Sequence, residues 1–436
     1  MAIVSPRFNN GRAIGILRDQ DCLYNILLEG IENGQPKREK RLITVVREVL
    51  APEDPADMAR YKEIIASPEL RFIISNTTEA GIRYEKDDVL SDAPVTFPGK
   101  IVNLLWQRYN QFNGATDKGL VFICCELIEN NASTLRKFVL KHAAEHDMDL
   151  DFITWVEEHN IFVDTLVDRI VPGFPRDTID EVKAELGYDD NAVVKGELYH
   201  LWAIGGKGYD QLAAELPLDK AGLHVLFMPS IKAFRDKKVR ILNGSHTGMV
   251  PMALQMGCET VMDAFHNPEI NWFVNSMVDE EVLPMIAGDA QELKDFAAGI
   301  LERFYNPYIK HYLKSIALNS LSKWEARNFP TVLDNFTKAG KLAEFEILSF
   351  AALLSLYGPG SGFEPEDEPA HLSKINAYWN ADDWRQTVAR ILSSGIFTVN
   401  FDELVPGFTE KTAEYLGEIR SEGMAKTLKK FLVNHK

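Results

Sequence analysis

Three side chains within one short segment could manage a proton at a carbonyl group. They are Lys238, Asn243 and His246, in Lys237-Lys-Val-Arg-Ile-Leu-Asn-Gly-Ser-His-Thr247. If a helix begins here, the three can point toward one side, since residues three and four apart share a helical face. A lysine in a partly desolvated cleft loses basicity and works as an acid or base near neutrality. An asparagine amide polarises a carbonyl or steadies an alkoxide. A histidine holds a hydroxyl or tunes the lysine. Metal-free carbonyl reduction needs these parts. Spacing alone favours a blander reading: a solvated basic turn, Arg235-Asp-Lys-Lys-Val-Arg240, ahead of an N-capped helix.

Other segments offer less. Gly358-Pro-Gly-Ser-Gly362 is the one glycine-dense loop, but a helix precedes it and an acidic run follows. A phosphate cradle needs a strand before and a helix after, so this reads as a surface connection. Gly205-Gly-Lys-Gly208 lacks the Ser or Thr of a nucleotide P-loop and reads as a turn. No H-E-x-x-H, Cys/His cluster or EF-hand spacing occurs, so no metal site is expected. No G-x-S-x-G elbow marks a serine hydrolase.

The elements that must position such residues change character along the chain. Short apolar runs at Ala2 to Val4, Leu42 to Val49, Arg71 to Ser75, Leu120 to Cys125 and Leu223 to Met228 predict strands. Helical patterns such as Lys100 to Phe112 and Ser133 to His146 separate them. Strands without polar alternation, interleaved with helices, predict a mostly parallel sheet covered on both faces. Ligands of such sheets lie at the carboxyl ends of the strands, which points to Asn76–Glu79 and Glu126–Asn131. After about residue 230 strand signals nearly vanish, and six helical patterns between Thr247 and Val433 predict an all-α domain. The expected division is 1–229 and 230–436.

The 436 residues suffice for two or three domains. Lys and Arg number 47 against 64 Asp and Glu, a net charge of −17. That argues against nucleic acid or an anionic membrane as partner, while leaving room for an anionic small molecule in a local basic pocket. Four cysteines without C-x-x-C spacing read as free thiols in a reducing cytoplasm. Neither a signal peptide nor a membrane-spanning run is expected.

Lys238-x4-Asn243-x2-His246 resembles the catalytic signature of the mannitol dehydrogenase family, the polyol-specific long-chain dehydrogenases. The resemblance extends in order through Arg71-Phe-Ile-Ile-Ser-Asn-Thr-Thr-Glu-Ala-Gly81, Cys125-Glu-Leu-Ile-Glu-Asn-Asn131, Leu166-Val-Asp-Arg-Ile170 and Arg303-Phe-Tyr-Asn-Pro-Tyr-Ile-Lys-His311, then Ser315-Ile-Ala-Leu-Asn319 to Lys323. It implies a Rossmann-type α/β domain followed by a helical one, and NAD-dependent, metal-independent interconversion of a ketone and a secondary alcohol. The variants around Thr77, Cys125 and Asn306 are closest to members acting on keto-hexuronates. The implied reaction is tagaturonate to altronate, in hexuronate catabolism. Fructuronate to mannonate, fructose to mannitol, and a truncated non-catalytic member stand as alternatives.

By position, the resemblance makes Lys238 the acid/base and has Asn243 and Asn131 polarise the reacting oxygen. His246 and Asp168 would position substrate hydroxyls or support Lys238, Lys323 would contact substrate, and Thr77, Thr78 and Glu79 would lie along NAD. Read without it, Asn131 caps the helix near Ser133, Asp168 partners Arg169, His246 is a satisfied core histidine, Thr77 and Thr78 form a turn, and Lys323 is a solvated helix end. The sequence departs from the family at its start. The family's opening strand and glycine-rich turn have no counterpart, and Ala2 to Arg7 aligns better with its second strand. The first strand–loop–helix unit is thus expected to be missing, with only Asn9-Asn-Gly-Arg-Ala13 echoing the end of the glycine motif. Oligomeric state is not legible.

Overall fold

The computed structural model describes residues 1–5, 11–32, 35–77, 81–86, 88, 94–308 and 310–435. Two compact units emerge, Met1–Lys232 and Ala233–Lys436. Asn9 and Asn10 of the Asn9–Ala13 echo, together with Thr78 and Glu79, lie outside the described residues.

Among its described residues the first unit carries ten strands: β1 (Ala2–Val4), β2 (Tyr24–Glu32), β3 (Gln35–Ile43), β4 (Glu48–Leu50), β5 (Phe72–Ser75), β6 (Val121–Cys124), β7 (Ile161–Asp168), β8 (Val194–Glu197), β9 (Leu201–Gly205) and β10 (Val225–Met228). Its main sheet has the order β10-β9-β7-β6-β5. β5, β6 and β7 run parallel, and β9 turns antiparallel to β7. All four residues of β6 are buried, which is why its sequence shows no polar alternation. The helix Asn131–Glu145 packs on β6 and β7, and Phe97–Gln111 packs on that helix and shares a buried core with β6. Phe97–Gln111 begins where Thr96 Oγ1 accepts from Gly99 N–H at 3.2 Å, with Pro98 in its first turn.

A three-stranded sheet, β3-β2-β8, and a parallel pair, β1-β4, complete the unit. The run Leu42 to Val49 is therefore not one strand. It ends the β2-β3 hairpin at Ile43 and resumes at Glu48 to pair with β1, while Val46 between them is buried with Ile14, Cys22 and Val49. A β-branched run signals extended backbone but does not say which partner each half takes.

The described residues of the second unit form no named strand. Its centre is the helix Glu344–Tyr357, buried at every position but its first. A helix apolar all round sits inside a bundle rather than on its surface. The expected single helix over Thr409 to Val433 is two, Phe408–Glu422 and Met424–Asn434, broken at Gly423, whose φ of 85° a side chain would resist. Thr247 to Phe265 and Lys310 to Trp324 are likewise each divided. Among the described residues, no helix is long and apolar enough to cross a membrane, and all four cysteines are free.

Candidate active site

Lys238, Asn243 and His246 lie on one helical run with a widened turn inside it. Lys232–Lys238 is α-helical, Val239–Gly244 is a π segment, and Ser245–Gln255 is α-helical again. Backbone angles remain helical through both joins, at Lys238 (φ −61°, ψ −46°) and Ser245 (φ −58°, ψ −44°). In a plain α-helix five residues advance about 500°, leaving positions 238 and 243 about 140° apart. Bonds from i to i+5 widen the turn, so position 243 returns above position 238.

Lys238 is buried, and Asn243 is half-buried with no hydrogen bond to its side chain among the described residues. His246 is 6 % exposed and its Nε2 has no partner among the described residues. Its ring stacks on Phe304 (centroids 4.3 Å apart, 17° between planes) and meets His311 edge-on at 5.1 Å. Burial, reinforced by His311, Arg303, Arg327 and Lys238, pushes its pKa well below the usual 6.5. His246 is thus a neutral imidazole amid cations. Burial and Arg303 also lower the pKa of His311. The helix Ser320–Arg327 packs against the π segment and the helix after it. From it Arg327 Nη1 donates to Thr247 Oγ1 at 3.1 Å, and Lys323 Nζ donates to the Ile316 carbonyl at 3.1 Å. Lys323 is therefore engaged with backbone rather than fully solvated.

In the first unit, Thr77, Asn131 and Asp168 lie at the carboxyl ends of β5, β6 and β7. Glu126, buried just past β6, joins two of these ends. Its Oε1 accepts from Thr77 N–H at 3.0 Å and Thr77 Oγ1 at 2.9 Å, and its Oε2 from Ser75 Oγ at 3.1 Å. Asn131 Nδ2 donates to the Glu126 carbonyl at 3.0 Å and the Thr165 carbonyl at 3.1 Å. Its Oδ1 accepts from Ala132 and Thr165 N–H at 2.9 and 3.1 Å. Both amide hydrogens of Asn131 are thus occupied, and it reaches another oxygen only by exchanging one of these bonds. Asp168 closes β7 and is buried, whereas Arg169 turns to the carbonyls of Tyr199 and Leu198.

The structure therefore brings Lys238, Asn243 and His246 onto one helix and gathers Thr77 and Asn131 around Glu126. Glu126 itself was visible only as part of a polar strand end. Its role depends on Ser75 and Thr77, some fifty residues earlier. His311 was legible only as the end of a motif.

Two family models match the chain: the mannitol dehydrogenase Rossmann domain over residues 7–218 and the mannitol dehydrogenase C-terminal domain over residues 230–396. An altronate oxidoreductase from Bacillus subtilis (strain 168) is 41 % identical, covering 99 % of this chain and 89 % of that protein. Another from Klebsiella pneumoniae (strain 342) is 39 % identical, covering 94 % and 86 %. A D-sorbitol dehydrogenase in substrate-free form shares the fold with a TM-score of 0.80 at 20 % identity, covering 98 % of this chain and 88 % of that one. The mannitol 2-dehydrogenase of Pseudomonas fluorescens, in a ternary complex with NAD and D-mannitol, gives 0.74 at 22 %, covering 98 % and 87 %.

Proposed function

This chain belongs to the mannitol dehydrogenase family, and we propose that within it the chain interconverts tagaturonate and altronate with NAD. It is an oxidoreductase of secondary alcohols and their ketones. The sugar acid is the reading's own step, and the altronate oxidoreductases that match nearly the whole chain carry it.

NAD supplies the hydride acceptor, or NADH the hydride donor, when bound. The residues at the strand ends fit the hydroxyl-rich side of a dinucleotide. Thr77 offers a hydroxyl oxygen, and the Glu126 carboxylate beneath it suits sugar hydroxyls better than a phosphate. Thr78 and Glu79 follow directly in sequence and are assigned to the same ligand.

In the reducing direction Lys238 delivers a proton from Nζ to the carbonyl oxygen as the ketone becomes an alcohol. In the oxidising direction it takes that proton back. The Asn243 amide, unengaged among the described residues, donates to the same oxygen as negative charge gathers there. Asn131 is assigned to that oxygen through exchange of one of its present bonds. Neutral His246 is assigned to a substrate hydroxyl, and in that form it adds no charge beside Lys238. Asp168 and Lys323 are assigned to orienting the substrate. The observation that supports this best is the widened turn bringing position 243 back over position 238.

NADH oxidation followed by absorbance tests the reading, with tagaturonate, fructuronate and fructose offered in parallel. Tagaturonate should be reduced fastest, and Lys238→Ala should lose at least about 100-fold in kcat while keeping its helical circular dichroism. Unaltered turnover in Lys238→Ala would sink the acid/base assignment. Faster reduction of fructuronate or fructose would reassign the substrate alone.

A further inference from the structure

One buried amide meets the widened turn from outside. Asn328, fully buried, precedes the helix Phe329–Ala339. Its Nδ2 donates to the Gly244 carbonyl at 3.0 Å and to Glu346 Oε2 at 2.8 Å. Gly244 is the last residue of the π segment, one past Asn243 and two before His246. Both hydrogens of the amide are committed, one to the segment and one to a carboxyl group in the first turn of the central helix Glu344–Tyr357.

That central helix is itself anchored. Glu281 Oε1 and Oε2 accept from the N–H groups of Phe345 and Glu346 at 2.9 and 3.0 Å. Asn335 Nδ2 donates to the Glu281 carbonyl at 2.9 Å. Near the other end of the π segment, Arg240 Nη1 meets Asp334 Oδ2 at 2.5 Å. The segment is thus tied at both ends to polar groups of the bundle.

An inserted residue disturbs the regular helical ladder, and such π turns persist where their surroundings over-determine them. If the segment relaxed to α-helix, position 243 would swing away from 238, toward the about 140° separation of a plain α-helix. We propose that Asn328, braced by Glu346, is the positioning residue that keeps the Lys238–Asn243 turn wide and so aligns the proton donor with the amide. This rests on the reading of Lys238 as the acid/base. Asn328 touches no reacting atom and acts through the Gly244 carbonyl.

Glu346 allows a clean comparison. Burial and neighbouring Glu281 raise its pKa well above 4.5, so Gln is a faithful substitute that keeps an acceptor for Asn328. Leu fills similar space and removes the acceptor, leaving one buried Asn328 N–H without its partner. Glu346→Leu should lose about 10-fold or more in kcat and shift the pH profile of kcat, with NADH affinity by fluorescence unchanged. Glu346→Gln should restore both. Asn328→Asp, unable to donate while ionised, should fall in the same direction. A folded Glu346→Leu with unchanged kcat and pH profile overturns the proposal, as does equal impairment of the Leu and Gln variants. If Glu346→Leu does not fold, Asn328→Asp against Glu346→Gln makes the same comparison: a loss confined to Asn328→Asp supports the positioning role, and equal behaviour of the two overturns it. Lys238→Ala run alongside separates the two failures: an active Lys238→Ala removes the acid/base reading, whereas an inactive one beside an unaffected Glu346→Leu removes the positioning role alone.

Discussion

His246 sits where an imidazolium would be costly. It is buried, stacked on Phe304, and flanked by His311, Arg303, Arg327 and Lys238. Desolvation and like charge act in the same direction, so the ring stays neutral in conditions where an exposed histidine is half protonated. An NMR titration of the His246 ring should show no protonation as pH falls through 6.5, its ordinary value. The sign for stability follows. A depressed pKa means that the folded state binds fewer protons than the unfolded one. The contribution is present above 6.5 and lost as pH falls through the folded value. A ring that titrates at or above 6.5 would contradict the neutral role assigned to it.

Two glycines show how local geometry decides tolerance within an element. A Cβ on Gly81 would stand 2.0 Å from Thr77 Oγ1 and 2.6 Å from the Thr77 carbonyl oxygen. Gly81→Ala should therefore displace Thr77 from Glu126 and weaken NADH binding by about 10-fold or more, read by fluorescence titration. Gly244 has ordinary helical angles, and a Cβ there meets nothing closer than 3.6 Å. Gly244→Ala should keep the fold and raise thermal stability by up to about 1 kcal/mol, since alanine favours helix. A lower melting temperature for Gly244→Ala would mean that the π segment needs glycine's freedom. The sequence made Lys238, Asn243 and His246 legible as a group, because lysine, asparagine and histidine in one segment suggest a common chemistry. It did not make the π turn legible, because apolar periodicity presumes 3.6 residues per turn. β5, β6 and β10 were visible as short apolar runs. The β2-β3 hairpin was not, since β3 is largely charged and exposed. Nor was Asn328, a polar residue before Phe329-Pro330, whose partners Gly244 and Glu346 lie 84 residues before it and 18 after it.

At the scale of the molecule, two sets of buried groups pull stability in opposite directions with pH. His246 and His311 in the second unit, and His142 in the first, have pKa values lowered by burial, so each contributes stability that fades below 6.5. Glu281 and Glu346 work the other way. Burial, against the opposing hydrogen bonds from Phe345 and Glu346 N–H, pushes Glu281 up to about 8, and Glu346 is raised by burial and by Glu281. A raised carboxyl pKa means that the folded state holds a proton which the unfolded chain releases above 4.5. This contribution is complete below 4.5 and is lost as pH rises toward about 8. Glu346→Gln removes one of the two titrations and the like charge on Glu281, so the second unit should lose less stability over that interval than wild type does. Melting temperature measured against pH should show a shallower alkaline decline in the variant, with the acid side, to which the histidines contribute, unchanged. A decline as steep as wild type would mean that Glu346 is already ionised in the folded protein. Its hydrogen bond from Asn328 would then join an amide to a buried carboxylate, and the Gln variant would no longer be a faithful stand-in.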